Sequence, residues 1–231
     1  MSNLAFQTPS LANTSSGRFA LGIEYNGSKY HGWASQANSW PSVQPLVEKA
    51  LSKVANQPIT LYCAGRTDKG VHAAQQIAHF DTTSQRSSSA WVKGANSNLP
   101  ASIKITWAQP VPSYFHARFS AWARRYRYII LNQYANPALL HNQVTWWHKP
   151  LDAEVMHQAA QALVGSHDFS AFRSIKCQSA TPRRKLHFIS VKRYGRFVVI
   201  DVQANSFVHH MVRNLAGSLM AIGAGEQPVD W

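Results

Sequence analysis

The stretch Ile59-Thr-Leu-Tyr-Cys-Ala-Gly-Arg-Thr-Asp-Lys-Gly-Val-His-Ala-Ala-Gln-Gln-Ile-Ala-His-Phe-Asp81 sets two apolar-rich runs on either side of a glycine-bracketed turn. Ile59–Ala64 reads as one strand and Gln75–Asp81 as the next. Before them, Arg18–Asn26 alternates, with Phe19, Leu21, Ile23 and Tyr25 on one face. Ser42 then caps a helix whose stripe is Val43, Leu46, Val47, Ala50, Leu51 and Val54. After them, Ser87–Ser89 opens a helix to about Asn98, and Ile103–Gln109 closes with a strand. The order β-α-β-β-α-β is a ferredoxin-like unit.

The second half nearly repeats it. Arg125–Asn132 is a strand. Asp152 caps a helix that turns Met156, Ala159, Ala160 and Leu163 inward, and Gly165 ends it. Leu186–Arg193 and Phe197–Ala204 form a hairpin around Tyr194-Gly195. A last helix runs through Val208, Met211, Val212, Leu215, Leu219 and Ile222, stopped by Gly223 and Gly225. The fold class is therefore α+β, with two tandem ferredoxin-like halves. The expected division is a flexible tail over residues 1–17, a first half over 18–115 and a second half over 116–231. The second half ends at Trp231 without the closing strand of the first, so the chain reads as a C-terminally shortened form of a longer protein.

Composition narrows the function. The 231 residues hold 45% hydrophobic side chains, enough to build a core, which argues against a disordered chain. Basic residues number 23 against 10 acids, a formal charge of +13, with pI near 10.1. A surplus that large points to a polyanion, since phosphate contacts release counterions. Cys63 and Cys177 form no Cys-x-x-Cys pair, and the histidines lack metal spacing. No signal peptide and no membrane-length apolar run is visible, so a reducing cytosol is the expected compartment.

In such a chain an acid inside a basic turn needs a reason. Asp68 lies between Arg66 and Lys69, which favour its ionised form. An ionised carboxylate opposes phosphate binding and is costly there unless it is used. The competing reading is an ordinary β-turn, in which Asp and Gly serve local geometry.

The strings around the turn settle between the two. Ala64-Gly-Arg-Thr-Asp-Lys-Gly-Val-His-Ala73 is followed in order by Phe115-His-Ala-Arg-Phe119, Arg124-Arg-Tyr-Arg-Tyr128, His167-Asp-Phe169 with Phe172-Arg173, and the run from Ala204 to Asn214. Tyr25-Asn-Gly-Ser-Lys-Tyr-His-Gly-Trp33 precedes them. Together these resemble the tRNA pseudouridine synthases of the A class. The resemblance implies an enzyme that detaches uracil from its ribose, rotates it and rejoins it through C5, on the 3′ side of the anticodon stem-loop. It implies no cofactor and no metal, a homodimer with tRNA across both subunits, and one large, mainly antiparallel sheet flanked by helices with a cleft between the halves. It also implies an apolar strand beyond the position of Trp231.

Carried over residue by residue, Asp68 is the catalytic carboxylate. Whether it attacks the sugar, attacks the base or takes a sugar proton stays open. Arg66 occupies the place of the flipped base, Tyr126 stacks on the uracil, and Arg213 pairs with the acid. Lys69 stands where bacterial members usually have alanine, and Ala34 where glutamine is common. Arg124, Arg125 and Arg127 alternate with the tyrosines of their strand, which assigns them to the opposite face. With Arg183, Arg184 and Lys185 they are candidate phosphate contacts. His72 is a polar cleft residue or a structural histidine. Two other readings compete. One is an RRM-type binding module, from Arg193-Tyr-Gly-Arg-Phe-Val198. The other is a glycosidase-like hydrolase, with Asp168 as its second carboxylate.

Overall fold

Alternating apolar residues build the first sheet. The computed structural model describes residues 17–35 and 40–231. The tail read over residues 1–17 lies outside them up to residue 16, and Gly17 opens a strand. Contacts divide the chain into two units, one up to Ser120 and one from Ala121.

The first unit runs β1 (Gly17–Tyr25), α1 (Val43–Ala55), β2 (Tyr62–Cys63), β3 (Ala73–Thr82), α2 (Ser88–Asn96) and β4 (Ile103–Val111). The strands pair antiparallel in the order β2-β3-β1-β4. Leu21, Ile23, Ala78, Phe80, Ile103 and Ile105 meet Val47, Leu51 and Trp91 of the helices in one buried core. That burial, at about 25 cal/mol per Å² of apolar surface, drives the packing.

Strand β2 is shorter than the expected Ile59–Ala64. Ile59 and Leu61 are buried, but α1 takes their backbone. Ser52 Oγ accepts from Ile59 N–H (2.9 Å) and Glu48 Oε1 accepts from Leu61 N–H (2.8 Å). These amides are satisfied by side chains, so no ladder forms there. Ser42 takes the N-cap position of α1, but its side chain donates to the Trp40 carbonyl instead of capping.

The second unit runs β5 (Arg124–Asn132), β6 (Thr145–Trp147), α3 (Ala153–Gln161), β7 (Gly165–Asp168), a 3-10 turn at Ser170–Phe172, β8 (Arg183–Tyr194), β9 (Phe197–Ala204) and α4 (Met211–Gly223). The sheet order is β6-β5-β9-β8-β7, with only the β5–β6 pair parallel. Ile130, Val198, Ile200 and Val202 pack on Met156, Leu215 and Leu219. Asp152 caps α3, accepting from the Glu154 and Val155 amides at 2.9 and 3.1 Å.

Edge strands β6 and β7 add to the expected order. β6 has three residues, and β7 is the polar Gly-Ser-His-Asp, so neither shows a strand pattern. Helix α3 stops at Gln161, and Gly165, expected to end it, opens β7 at φ 113°. β7 also explains why β8 starts at Arg183: Gly165–Asp168 pair with Arg183–Leu186. Among the described residues the first unit holds a four-stranded sheet and the second a five-stranded one, an α+β fold in two halves. Each sheet is built on its own apolar core.

Candidate active site

The turn between β2 and β3 is fixed from beneath. The amide of Ala64 extends the ladder to Ile77 O (2.7 Å), and Gln76 Nε2 donates to Gly65 O. Val71 N–H closes a turn on Asp68 O (3.2 Å), with Gly70 at φ 78°. A left-handed residue at that third position is what a type II turn requires.

The cradle under it is the Tyr25–Trp33 segment. Trp33 N–H donates to Thr67 O (3.0 Å), and Gly70 N–H donates to Tyr30 O (3.2 Å). Buried Tyr25 shares a 2.7 Å hydrogen bond between its hydroxyl and Thr67 Oγ1. Gly27 N–H donates to His72 Nδ1 (3.1 Å), which leaves the neutral ring's proton on Nε2. That bond gives His72 a structural task. Two glycines allow the approach: a Cβ on Gly27 would sit 1.9 Å from Val71 O, and one on Gly32 would sit 2.6 Å from Thr67 O.

The cradle presents Asp68 half-buried with Arg66 and Lys69 exposed beside it. Burial pushes the thiol of Cys63, just before the turn, up to about 11, which keeps it protonated near neutral pH. Burial also lowers His31, helped by the charge of Lys69.

The Phe115–Phe119 string is anchored to the same sheet. Arg18 grips Asp81 with two bonds (2.7 and 2.8 Å) and donates to the carbonyls of Ser113 and Phe115. Buried His79 accepts from Ala117 N–H through Nδ1 at 3.1 Å. Burial, then Arg18 and His116, keep this histidine below its ordinary value. Neither the cradle nor this anchor was assigned a task from sequence, although both strings were singled out there.

In the second unit, Tyr126 is half-buried on β5, edge-on to Phe207 with centroids 5.0 Å apart. Arg125 and Arg127 project from the other face and share Asp201. Arg125 makes two 2.7 Å bonds and Arg127 one of 3.0 Å. Arg124 departs from the expected alternation. It is an even position like Tyr126, falls on that face, and donates to Ala121 O and Asn205 O.

Of the second basic run, Arg183 and Lys185 are exposed and Arg184 turns inward at 8% exposure. Arg184 donates to Thr181 O, Arg183 O and Ser179 Oγ. Arg213 is exposed in the first turn of α4. Its neighbour Asn214 ties the helix to Phe172 O (3.0 Å).

The competing readings weaken. Asp168 accepts from Ser170 N–H (2.8 Å) two residues on, and its hydrogen bonds to Ser170 hold it below the usual carboxylate range. That counts against Asp168 as a general acid, which needs the opposite shift, though not against a base or nucleophile. Arg193–Val198 spans the β8–β9 hairpin, and Gly195 stands at its tip with φ 56°.

Comparisons with known proteins agree with the resemblance. The family model described as tRNA pseudouridine synthase matches residues 22–120 and 159–231. The tRNA pseudouridine synthase A of Enterobacter sp. (strain 638) is 59% identical over 214 residues, covering 93% of this chain and 79% of the relative. That of Escherichia coli (strain SMS-3-5 / SECEC) is 58% identical over the same shares. The Pseudomonas aeruginosa enzyme is 55% identical, covering 93% of this chain and 75% of its own length. With both cores, the turn and these matches in hand, the chain belongs to the tRNA pseudouridine synthase family.

Proposed function

We propose that this protein isomerises uridine to pseudouridine on the 3′ side of the anticodon stem-loop of tRNA, with Asp68 as its catalytic carboxylate. The observation that carries the reading is the Gly65–Gly70 turn, which holds one acid beside two cations on a cradle of named hydrogen bonds. The reaction breaks the bond from ribose C1′ to uracil N1 and makes one from C1′ to C5. The C5 proton is lost and N1 gains one, so the net change is zero. The target base leaves its stack to reach the acid, because neighbouring bases shield it in place. Asp68 then acts as nucleophile on sugar or base, or removes a sugar proton.

In this reading Arg66 fills the vacated stack, Tyr126 offers a ring to the uracil, and Arg213 is the cationic partner of the acid. Exposed Arg125, Arg127, Arg183 and Lys185 position phosphates without reading bases. The formal charge of +13 supports a polyanionic substrate. The enzyme works as a cytoplasmic homodimer with tRNA across both subunits. No helix among the described residues is long and apolar enough to cross a membrane.

The test uses unmodified tRNA carrying tritium at uridine C5, with pseudouridine mapped by position. Asp68→Asn abolishes tritium release and keeps tRNA affinity within a few-fold. A variant that still turns over removes Asp68 from the mechanism.

A further inference from the structure

The chemistry at Asp68 does not use an exposed aromatic and cationic surface on the same unit. Tyr62 on β2 pairs across the ladder with His79 on β3. Their rings lie 5.1 Å apart at 23°, so one face of Tyr62 rests on a buried, hydrogen-bonded imidazole. Half of the residue (50%) stays exposed. His116 closes in from the side, 4.6 Å from His79 and 5.8 Å from Tyr62. Phe119 lies on His116 at 4.4 Å and is 76% exposed, and the Arg118 guanidinium stands 5.5 Å from its ring centroid.

A hydrogen-bonded turn holds these rings in solvent. His116 Nδ1 accepts from the Arg118 and Phe119 amides (3.2 and 3.3 Å), and Ser120 N–H donates to His116 O (2.8 Å). Core packing does not account for aromatic faces ordered outward, and contiguous exposed apolar surface marks a partner. Tyr62 stands on β2 three residues before Gly65 opens the Asp68 turn, so this surface borders that turn.

We propose that Tyr62, His116 and Phe119 form a stacking platform for unpaired tRNA bases beside the target uridine, with Arg118 taking a phosphate between them. This rests on the tRNA reading above. Extruding one base strips its neighbours of a stacking partner. Flat rings accept any base, and guanidinium groups follow the backbone. A second copy is the poorer occupant of this face, because it would set exposed Arg118 and Arg66 against their own like charges.

The experiment measures Kd and KM for unmodified tRNA, tritium release and sedimentation on the full chain. Phe119→Leu and Tyr62→Leu keep apolar bulk but lose the flat ring. Each weakens tRNA binding roughly five-fold or more, with the loss in KM rather than kcat. Phe119→Tyr restores affinity, which a merely structural role would not require at so exposed a position. Arg118→Gln lowers the slope of log affinity against log salt by about one. Unchanged affinity in the leucine variants of an active wild type overturns the platform and leaves the enzymatic reading standing. A change in sedimentation without a change in tRNA affinity overturns it in favour of a protein contact. A wild type that binds tRNA without converting it sinks the enzymatic reading, while the variant affinities still decide the platform.

Discussion

Gly32→Ala tests whether the cradle holds Asp68 where it must be. The new methyl stands 2.6 Å from Thr67 O and 3.3 Å from the Asp68 carbonyl carbon. Ordinary contact begins at 3.4 Å, so the turn or the loop gives by about 0.8 Å. Thr67 O cannot tilt away freely, because Trp33 N–H holds it. Gly32 also has φ 101°, where an alanine costs on the order of 1–3 kcal/mol. With roughly 1 kcal/mol for a loosened hydrogen bond, the loss of stability is about 2–4 kcal/mol. Displacing a reacting group by about 1 Å costs on the order of 100-fold in rate. Gly70→Ala is the control: it has φ 78° but nothing within 4 Å of its Cβ, so it carries strain without the clash. Urea midpoints give the stability of both variants, and single-turnover tritium release gives the rate. Gly32→Ala turning over within two-fold of wild type, or no worse than Gly70→Ala, would mean that the cradle does not set the position of Asp68.

Further outcomes follow from single environments. His79 is buried neutral, with burial the largest cause of its lowered value. A depressed folded value means its contribution is full above the ordinary 6.5 and is lost as pH falls through the folded value. The urea midpoint therefore drops between pH 7.5 and 5. His79→Phe flattens that drop but orphans Ala117 N–H, lowering stability by about 1–3 kcal/mol at every pH. Among helix caps, Asp152→Ala costs about 1 kcal/mol in thermal unfolding, while Ser42→Ala costs well under that because its hydroxyl does not cap. Equal losses would contradict the cap geometry. Of the two thiols, Cys177 alkylates first at pH 7.5 by peptide mass mapping. Burial raises Cys63, whereas at Cys177 hydrogen bonds from His209, Ser179 and Arg173 outweigh a burial that opposes them. Faster labelling of Cys63 would reverse that order.

Strong periodic segments were legible in the sequence because their signal is local. The alternation of β1, the stripe of α1 and the Asp152 cap follow from residues a few positions apart. Elements whose partners are remote were not. β2 lost its first residues to Glu48 and Ser52, whose side chains take the amides. β7 is polar and exists because β8 lies beside it. Arg184 looked like its neighbours, yet only its position on β8 turns it inward.

That Asp68 lies in a glycine-bracketed turn between two cations, flanked by two strands, is written locally in the chain. Those properties depend on neighbours along the chain, such as the left-handed Gly70. What holds the turn, and what surrounds it, comes from residues far away in the chain. Tyr25 reaches Thr67 across 42 positions, and Gly27 reaches His72 across 45. The Ala117 amide reaches His79 across 38, which fixes the loop that carries Arg118 and Phe119. A buried polar group must find its partner wherever the fold brings one, and no local pattern encodes that choice.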